Sequence, residues 1–110
     1  LPNSDNIVII EGGMIRSFRD TGTEDIYHAS NSKKSRKALP RELIGKAQDK
    51  LDMINAAFNL NDLESPPGNK LEALKGDRLG QYSIRVNDQY RIAFKWDNNG
   101  ASDVEIVDYH

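Results

Sequence analysis

The chain contains no cysteine, which excludes disulfide bonds, zinc–thiolate sites and a thiol nucleophile. Its two histidines, His28 and His110, are far apart and lack the spacing of a metal site, and the sequence has no glycine-rich phosphate motif. No apolar run approaches the roughly 20 residues that span a bilayer, and the first residues do not resemble a signal peptide. We therefore expect a cytoplasmic protein that uses no metal, no cofactor and no membrane.

The length of 110 residues and the hydrophobic content of 37% are enough for one hydrophobic core. Residue 1 is leucine, and the first methionine is Met14. We therefore interpret residues 1–13 as a non-native or upstream extension and residues 14–110 as a single domain.

The net charge of −2 argues against nucleic-acid binding by the whole surface, but the basic residues are unevenly distributed. Residues 30–50 contain seven basic and two acidic residues, and residues 70–96 contain six basic and three acidic ones. The densest run, residues 33–37, is typical of a solvated loop, with contacts to phosphate as the alternative. The sequence thus predicts local basic surfaces on an acidic protein.

Helices are predicted in the first half of the chain. A short one is indicated near Thr23, where acidic residues follow a residue suited to cap a helix. A longer one begins at Pro40, and its apolar residues recur at spacings of three and four: Leu43, Ile44, Ala47, Leu51, Ile54 and Phe58. The two prolines and the glycine within residues 65–69 predict an irregular loop after it.

Strands are predicted mainly near the end of the chain. Short apolar runs at residues 6–10 and 14–18 indicate two strands at its start. Alternating runs at residues 81–86 and 90–96, followed by a turn at residues 98–100 and a run at residues 103–109, indicate three more.

A three-residue loop at residues 87–89 keeps the apolar residues of the hairpin on one face, whereas a two-residue loop does not. With this loop, Val86 pairs with Tyr90. The resulting apolar face assigns four aromatic residues to the core and not to a ligand-binding surface: Tyr82, Tyr90, Phe94 and Trp96.

The same register places Arg85 opposite Arg91 on the other face, with Ser83 opposite Ala93. Two like charges facing each other across strands are unfavourable, so the pair calls for an anion. That anion is either the phosphate of a ligand or a nearby carboxylate such as Asp108 or Glu105.

Residues 68–96 read GNKLEALKGDRLGQYSIRVNDQYRIAFKW, and residues 103–110 read DVEIVDYH. Both stretches, together with MIRSF at residues 14–18, resemble the HigB-type toxins of the RelE/ParE superfamily. The resemblance covers residues 14–110. It implies an α+β, RelE-like fold: an antiparallel β-sheet with two N-terminal helices packed on one face and a short catalytic C-terminus.

The resemblance further implies the toxin of a type II toxin–antitoxin system, an mRNA endoribonuclease that acts in the A site of the 30S ribosomal subunit. In this family the 2′-hydroxyl of the RNA attacks the adjacent phosphate without a metal. The implied partners are the ribosome with its mRNA and a HigA-like helix-turn-helix antitoxin. The toxin is expected to reach operator DNA only through this antitoxin. The alternatives are a ParE-like inhibitor of a protein such as DNA gyrase and an inactive corepressor. The Asp-Tyr-His ending and the paired arginines favour the nuclease.

The implied reaction needs cations that stabilise the phosphate and groups that transfer protons. Arg91 matches the family arginine that contacts the scissile phosphate, and Asp108, Tyr109 and His110 match the closing residues of the family. We expect His110 to transfer protons, because an imidazole titrates near neutrality. Four further cations are expected to bind RNA: Arg85, Lys75, Lys70 and Arg78.

Glu72 stands where some family members have a histidine, which leaves the identity of the general base open. Glu72 is either that base or a surface partner of Lys70 or Arg78, and the sequence favours neither. His28 lies in the first predicted helix, where we expect a structural or solvent-exposed side chain.

Overall fold

The structure is a computed structural model that describes residues 14–109. Within these residues, three α-helices precede a four-stranded antiparallel sheet, which confirms the predicted α+β class. The strand predicted at residues 6–10 and the residue His110 lie outside the described residues. Among residues 14–109, no helix is both long enough and apolar enough to cross a membrane.

The first helix, α1, spans Thr21–Tyr27 and so begins two residues before the predicted start. It begins there because the carboxylate of Asp20 accepts a hydrogen bond from the backbone nitrogen of Thr23 at 2.7 Å. The C-cap of this helix is His28, whose half-exposed imidazole lies 4.0 Å from the Glu24 carboxylate. This is the structural, partly exposed position expected for that histidine.

The second helix, α2, spans Lys33–Ala38, where the sequence predicted a solvated loop. That prediction was wrong, and α2 is a third helix beyond the two that the resemblance implied. A helix forms because the hydroxyl groups of Ser32 and Ser35 each accept a backbone N–H from the other residue, at 3.0 and 3.1 Å. The helix also packs closely on α1 at Gly22, where an added Cβ would lie 2.9 Å from the carbonyl oxygen of Lys34.

The third helix, α3, spans Arg41–Ala56 and confirms the long helix predicted from Pro40. Its buried face includes Ala47, Leu51 and Ile54. Phe58 was expected on that face but lies beyond the helix and is 70% exposed. The helix stops before it because Asp62 accepts backbone N–H groups of residues 58 and 59, which start a 3₁₀ turn at Leu60–Glu64. A second 3₁₀ turn, Pro67–Asn69, lies in the predicted irregular loop.

The four strands follow one another in the order of the sequence, each antiparallel to its neighbour: β1 Glu72–Ala73, β2 Gln81–Arg85, β3 Tyr90–Asp97 and β4 Gly100–Asp108. The last three confirm the predicted strands. The two-residue β1 was not predicted, because so short an edge strand has no alternating pattern to recognise. It forms the edge of the sheet beside β2.

The register of the β2–β3 hairpin is the predicted one. Tyr82 pairs with Phe94, Ile84 with Ile92, and Arg85 with Arg91. The backbone nitrogen of Val86 donates to the carbonyl of Tyr90 at 2.9 Å, which closes the three-residue loop. Side-chain alternation therefore divides the sheet into the two faces that the sequence indicated.

Residues 14–18, predicted as a strand, run parallel to β4 but form two isolated bridges instead of a continuous ladder. The bridges join Ile15 to Ala101 and Phe18 to Val104. Between them, the pairing of β4 with β3 shifts register, and Asp103 adopts a positive φ of 51°. This bulge interrupts the regular hydrogen bonding that a strand at residues 14–18 would need.

The hydrophobic core lies between the helices and one face of the sheet, which we call the helix face: Tyr82, Ile84, Tyr90, Ile92, Phe94 and Ile106. Phe94 is fully buried, and Tyr82, Tyr90 and Trp96 are partly buried against the core, which confirms their predicted role. The opposite side, which we call the Arg91 face, carries the alternate residues of the strands: Glu72, Ser83, Arg85, Arg91, Ala93 and Glu105.

Candidate functional site

Arg91 lies at the centre of the Arg91 face and is 7% exposed. Its Nε donates to the hydroxyl oxygen of Ser83 at 2.6 Å, and its Nη2 donates to the carbonyl oxygen of Lys70 at 2.6 Å. Both acceptors are uncharged, and they fix the plane of the guanidinium group. Within residues 14–109, the other terminal nitrogen, Nη1, has no hydrogen-bond acceptor. The group is therefore oriented by the protein and retains donors for a ligand.

Burial lowers the pKa of Arg91, and the repulsion from Arg85 acts in the same direction. Glu72 and Tyr109 oppose these effects. An arginine remains protonated throughout the range in which proteins are folded, so a fixed positive charge lies in a largely desolvated position. Such a charge attracts an anion more strongly than an exposed lysine does, because little water screens it.

Glu72 supplies an anion in the free protein. Its Oε1 lies 3.3 Å from Nη2 of Arg91, and its side chain is 47% exposed. The β1–β2 register sets this contact by pairing Glu72 with Ser83, whose hydroxyl holds Nε of the same arginine. The sequence suggested Lys70 or Arg78 as the partner of Glu72, but the ion pair is with Arg91.

Arg85 forms an ion pair with Asp88, a residue of the hairpin loop that follows β2. The carboxylates expected to neutralise the two arginines were Asp108 or Glu105. The ion pairs of Arg85 and Arg91 within the described chain are instead with Asp88 and Glu72. Loop and edge residues supply the charge because Asp88 is close to Arg85 in sequence and the register of the edge strand brings Glu72 to Arg91.

Tyr109, the last described residue, reaches the site. Its ring centroid lies 5.5 Å from Cζ of Arg91, within the range of a cation–π contact. Its backbone nitrogen donates to the carbonyl of Gln89 at 2.6 Å, which holds Tyr109 against the hairpin loop. Tyr109 is 42% exposed, so the ring contacts Arg91 and also remains accessible.

Asp108 pairs in register with Tyr90, a helix-face residue, whereas the preceding Val107 pairs with Arg91. One Asp108 oxygen accepts a hydrogen bond from the Gln89 side chain at 3.1 Å. The structure thus brings Tyr109 to Arg91 and places Asp108 beside the hairpin loop. His110 lies outside the described residues.

The remaining predicted RNA-binding residues lie around the site and differ in how far their side chains contact other residues of the protein. Lys70 contributes its backbone carbonyl to Arg91, while its side chain and that of Lys75 are exposed. Arg78 donates to Gln81 at 3.0 Å and to Glu105 at 3.1 Å. It is therefore paired across the sheet and is not part of the immediate surroundings of Arg91.

Ser83 was not among the predicted site residues. It is fully buried, and its hydroxyl accepts a hydrogen bond from Nε of Arg91. The register offered a signal that it belongs to the site, because Ser83 lies two residues from Arg85 and hence diagonally opposite Arg91 on the same face. The Lys70 carbonyl gave no such signal, since it depends on the path of an irregular loop.

The described part of the chain holds no group of three or more His, Cys, Asp or Glu side chains that could bind a metal. The site instead consists of a rigidly held guanidinium group with an exposed carboxylate and a phenol beside it. Such a set of groups can bind a phosphate through charge-assisted hydrogen bonds and present an aromatic ring to a base.

Comparison with known proteins identifies the family of the chain. The profile described as “RelE-like toxin of type II toxin-antitoxin system HigB” matches residues 16–110. A protein named Toxin HigB-1 from Vibrio cholerae is 37% identical over 83 residues, covering 76% of this chain and 84% of that protein. Endoribonuclease HigB from Proteus vulgaris is 32% identical over 97 residues, covering 88% of this chain and all of that protein.

A further relative, an uncharacterized protein from Haemophilus influenzae, is 47% identical over 66 residues, which cover 60% of this chain and 65% of that protein. Among solved structures, the chain is similar to that of the “YoeB-YefM complex from Staphylococcus aureus”, with a TM-score of 0.55 and 21% identity. That match covers 87% of this chain and 97% of the other. It shows the shared RelE-like fold. The chain belongs to the HigB family, the RelE-like toxins of type II toxin–antitoxin systems, and its partner is an antitoxin.

Proposed function

We propose that the chain is an endoribonuclease toxin that cleaves mRNA in the ribosomal A site, with Arg91 binding the scissile phosphate. The observation that carries this proposal is the buried Arg91 guanidinium, which has one terminal nitrogen without an acceptor in residues 14–109 and another beside the half-exposed Glu72. The curated relative named Endoribonuclease HigB supports the assignment to the ribonucleases.

Binding of the phosphate requires no rearrangement of Arg91, because Ser83 and Lys70 already fix its guanidinium plane. Preorganised donors are effective in catalysis because they need no reorientation as charge develops on the phosphate. We assign Glu72 the role of an exchangeable counterion, whose Oε1 occupies the place of a phosphate oxygen at 3.3 Å from Nη2. Incoming RNA displaces this carboxylate towards solvent, to which it is already half exposed.

In the proposed reaction, the 2′-oxygen of the RNA attacks the adjacent phosphorus, and the bond from phosphorus to the 5′-oxygen breaks. The products are a 2′,3′-cyclic phosphate and a 5′-hydroxyl end. A base takes the proton of the 2′-hydroxyl, and an acid gives a proton to the departing 5′-oxygen. His110 is the proposed proton carrier, and Asp108 lies two residues before it in the sequence. Tyr109 supports Arg91 from its ring face and offers an aromatic surface to a base.

The surrounding cations fit a path for the RNA backbone on both sides of the cleavage site. The side chains of Lys70 and Lys75 are exposed and are assigned to flanking phosphates. Arg85 is assigned to a neighbouring phosphate. In the free protein the exposed carboxylate of Asp88 pairs with Arg85 instead. Arg78 forms an ion pair with Glu105, so it binds an RNA phosphate only if the phosphate displaces that carboxylate.

The antitoxin partner is proposed to be a HigA-like helix-turn-helix protein, and the toxin to reach operator DNA only through it. Because the proposed substrate is mRNA on the ribosome, the proposed activity takes place in the cytoplasm. The pairing of toxins with antitoxins in this family supports the first of these statements.

The experiment that tests the proposal is induced expression of the wild type, of Arg91→Ala and of Lys95→Ala, with growth followed and transcript 5′ ends mapped. Lys95 is a matched control, because it is an exposed cation on the same strand and the same face, paired with Asp103. We expect the wild type and Lys95→Ala to arrest growth and cut transcripts in frame, and Arg91→Ala to do neither.

Growth arrest with intact transcripts would contradict the nuclease assignment and favour a protein target such as DNA gyrase. Normal growth with the wild type would instead indicate a corepressor without catalytic activity. Cutting that survives in Arg91→Ala would keep the nuclease and remove Arg91 from its centre.

A further inference from the structure

Lys50 is a buried cation that the proposed reaction does not use. It lies on the inner side of α3 and is 8% exposed. Among residues 14–109 it forms no ion pair, and its Nζ donates to the side-chain oxygen of Asn69 at 2.6 Å. Burial of its ammonium lowers the pKa of Lys50, which shows that the position penalises its charge. A buried ammonium is costly to the fold unless its donors are satisfied, and the hydrogen bond to Asn69 offsets part of this cost.

Asn69 receives this hydrogen bond and is itself fully buried. Its side-chain nitrogen donates to the carbonyl oxygens of Leu63 at 3.1 Å and Ser65 at 3.2 Å. The Asn69 amide therefore ties the loop that contains it to the preceding 3₁₀ turn, while Lys50 ties it to α3. Both ends of this amide are engaged, which leaves the side chain a single orientation.

The residue after Asn69 is Lys70, whose carbonyl oxygen accepts the hydrogen bond from Nη2 of Arg91 at 2.6 Å. Lys70 has a φ of 45° and a ψ of 56°, in the left-handed region that residues other than glycine rarely adopt. Such a conformation persists when the surrounding contacts hold it in place. Lys70 is held by its own backbone hydrogen bond to the Pro67 carbonyl at 3.1 Å and by the contacts of the preceding residue, Asn69. Lys50 in turn holds Asn69.

We propose that Lys50 and Asn69 are positioning residues for Arg91: they hold the loop so that the Lys70 carbonyl fixes the guanidinium plane. The proposal deepens the proposed function and rests on it only for the consequence in catalysis. A chain of contacts leads from the core helix α3 to the phosphate-binding donors, with no contact between Lys50 and RNA. A methionine of similar length could not donate to Asn69.

The test measures the Arg91 side chain directly by NMR in the wild type, Lys50→Met and Ala47→Gly. Rotation about the Nε–Cζ bond exchanges Nη1 with Nη2, and the hydrogen bond to Lys70 slows it. We expect this exchange to be about tenfold faster in Lys50→Met, because the loss of one hydrogen bond changes a rate by about that factor. Ala47→Gly weakens the same helix at another buried position and is expected to leave the Arg91 signals unchanged.

RNA cleavage supplies the second measurement. We expect kcat to fall about tenfold in Lys50→Met with little change in KM, because the donors remain present but are less well oriented. The NMR measurement needs no activity, so a wild type that cuts no RNA would contradict the proposed function while the positioning of Arg91 is still tested.

Arg91 signals that are the same in Lys50→Met and the wild type would overturn the proposal. If Lys50→Met does not fold, Asn69→Asp serves in its place. This change keeps an acceptor for Lys50 and the size of the side chain, but removes the donors to the Leu63 and Ser65 carbonyls. Faster exchange of the Arg91 nitrogens in that variant supports the proposal, and unchanged exchange overturns it.

Discussion

The two faces of the β-sheet bury their residues in different ways, although the same strands supply both. On the helix face, Ile84, Ile92 and Phe94 pack against other apolar side chains, and their contacts have no directional requirement. On the Arg91 face, the buried Arg91 depends on directed hydrogen bonds to Ser83 and Lys70. Along β3, the residues on the helix face therefore stabilise the fold, and those on the Arg91 face set the geometry of the site. Substitutions on one face can change stability or site geometry separately.

The largest expected effect is on stability, from Ile92→Ala on the helix face. Ile92 is fully buried, so truncation removes apolar contacts and leaves a cavity. We expect the free energy of unfolding to fall by about 2–5 kcal/mol, measured by urea denaturation. The RNA-cleaving activity per folded molecule should stay within about threefold of the wild type, equivalent to about 0.65 kcal/mol. A greater loss in fully folded protein would show that the two faces are coupled.

Next in size is the effect of Arg91→Lys on activity. Lysine keeps the positive charge but lacks the planar fork of donors that contacts Ser83 and Lys70 and that we propose to bind the phosphate. We expect the rate of ribosome-dependent cleavage to fall about 100-fold, equivalent to about 2.7 kcal/mol. Lys95→Arg, at the exposed end of the same strand face, is the control and should retain activity. Cleavage by Arg91→Lys at nearly the wild-type rate would mean that charge alone is sufficient.

Glu72→Gln distinguishes the counterion from the general base and should have a smaller effect. The ion pair with Arg91 is half exposed, so its loss is worth up to about 1 kcal/mol. We therefore expect a non-cleavable RNA with a 2′-deoxy cleavage position to bind up to about fivefold more tightly, measured by fluorescence anisotropy. Asp77→Asn changes the net charge equally at another exposed residue and serves as the control. A fall in cleavage rate of about 100-fold or more would instead identify Glu72 as the base.

The smallest expected effect concerns Lys50, which links the helix side of the molecule to the Arg91 face. Its pKa in the folded protein is lowered by burial below the usual value of 10.5. Between these two pKa values the unfolded chain binds more protons than the folded one, so the free energy of unfolding rises with pH. Lys50→Met should lack this rise, measured by urea denaturation at pH values up to 10.5. Comparing the two proteins cancels the opposite contribution of Tyr27, whose pKa is raised by burial. Equal slopes in both proteins would contradict the lowered pKa.

Much of the fold followed from local sequence patterns. The helical spacing after Pro40 predicted α3, and the alternation of residues 81–96 gave the hairpin register, because a wrong register would move every apolar side chain to the other face. The helix at Lys33–Ala38 was not predicted, because the run of basic residues favoured a solvated loop over the reciprocal serine cap that starts the helix. The early end of α3 was also missed, because it depends on a carboxylate that bonds the backbone four residues earlier.

The sequence by itself determined the opposition of Arg85 and Arg91 and the candidate role of Arg91. Both depend on side-chain alternation and on motifs within one stretch of chain. Only the tertiary structure decided that Glu72 is the counterion, that Tyr109 lies against the guanidinium, and that Lys50 reaches Asn69. These contacts join a loop, an edge strand, the chain end and a helix. Their geometry follows from how the elements pack, which no local pattern of residues encodes.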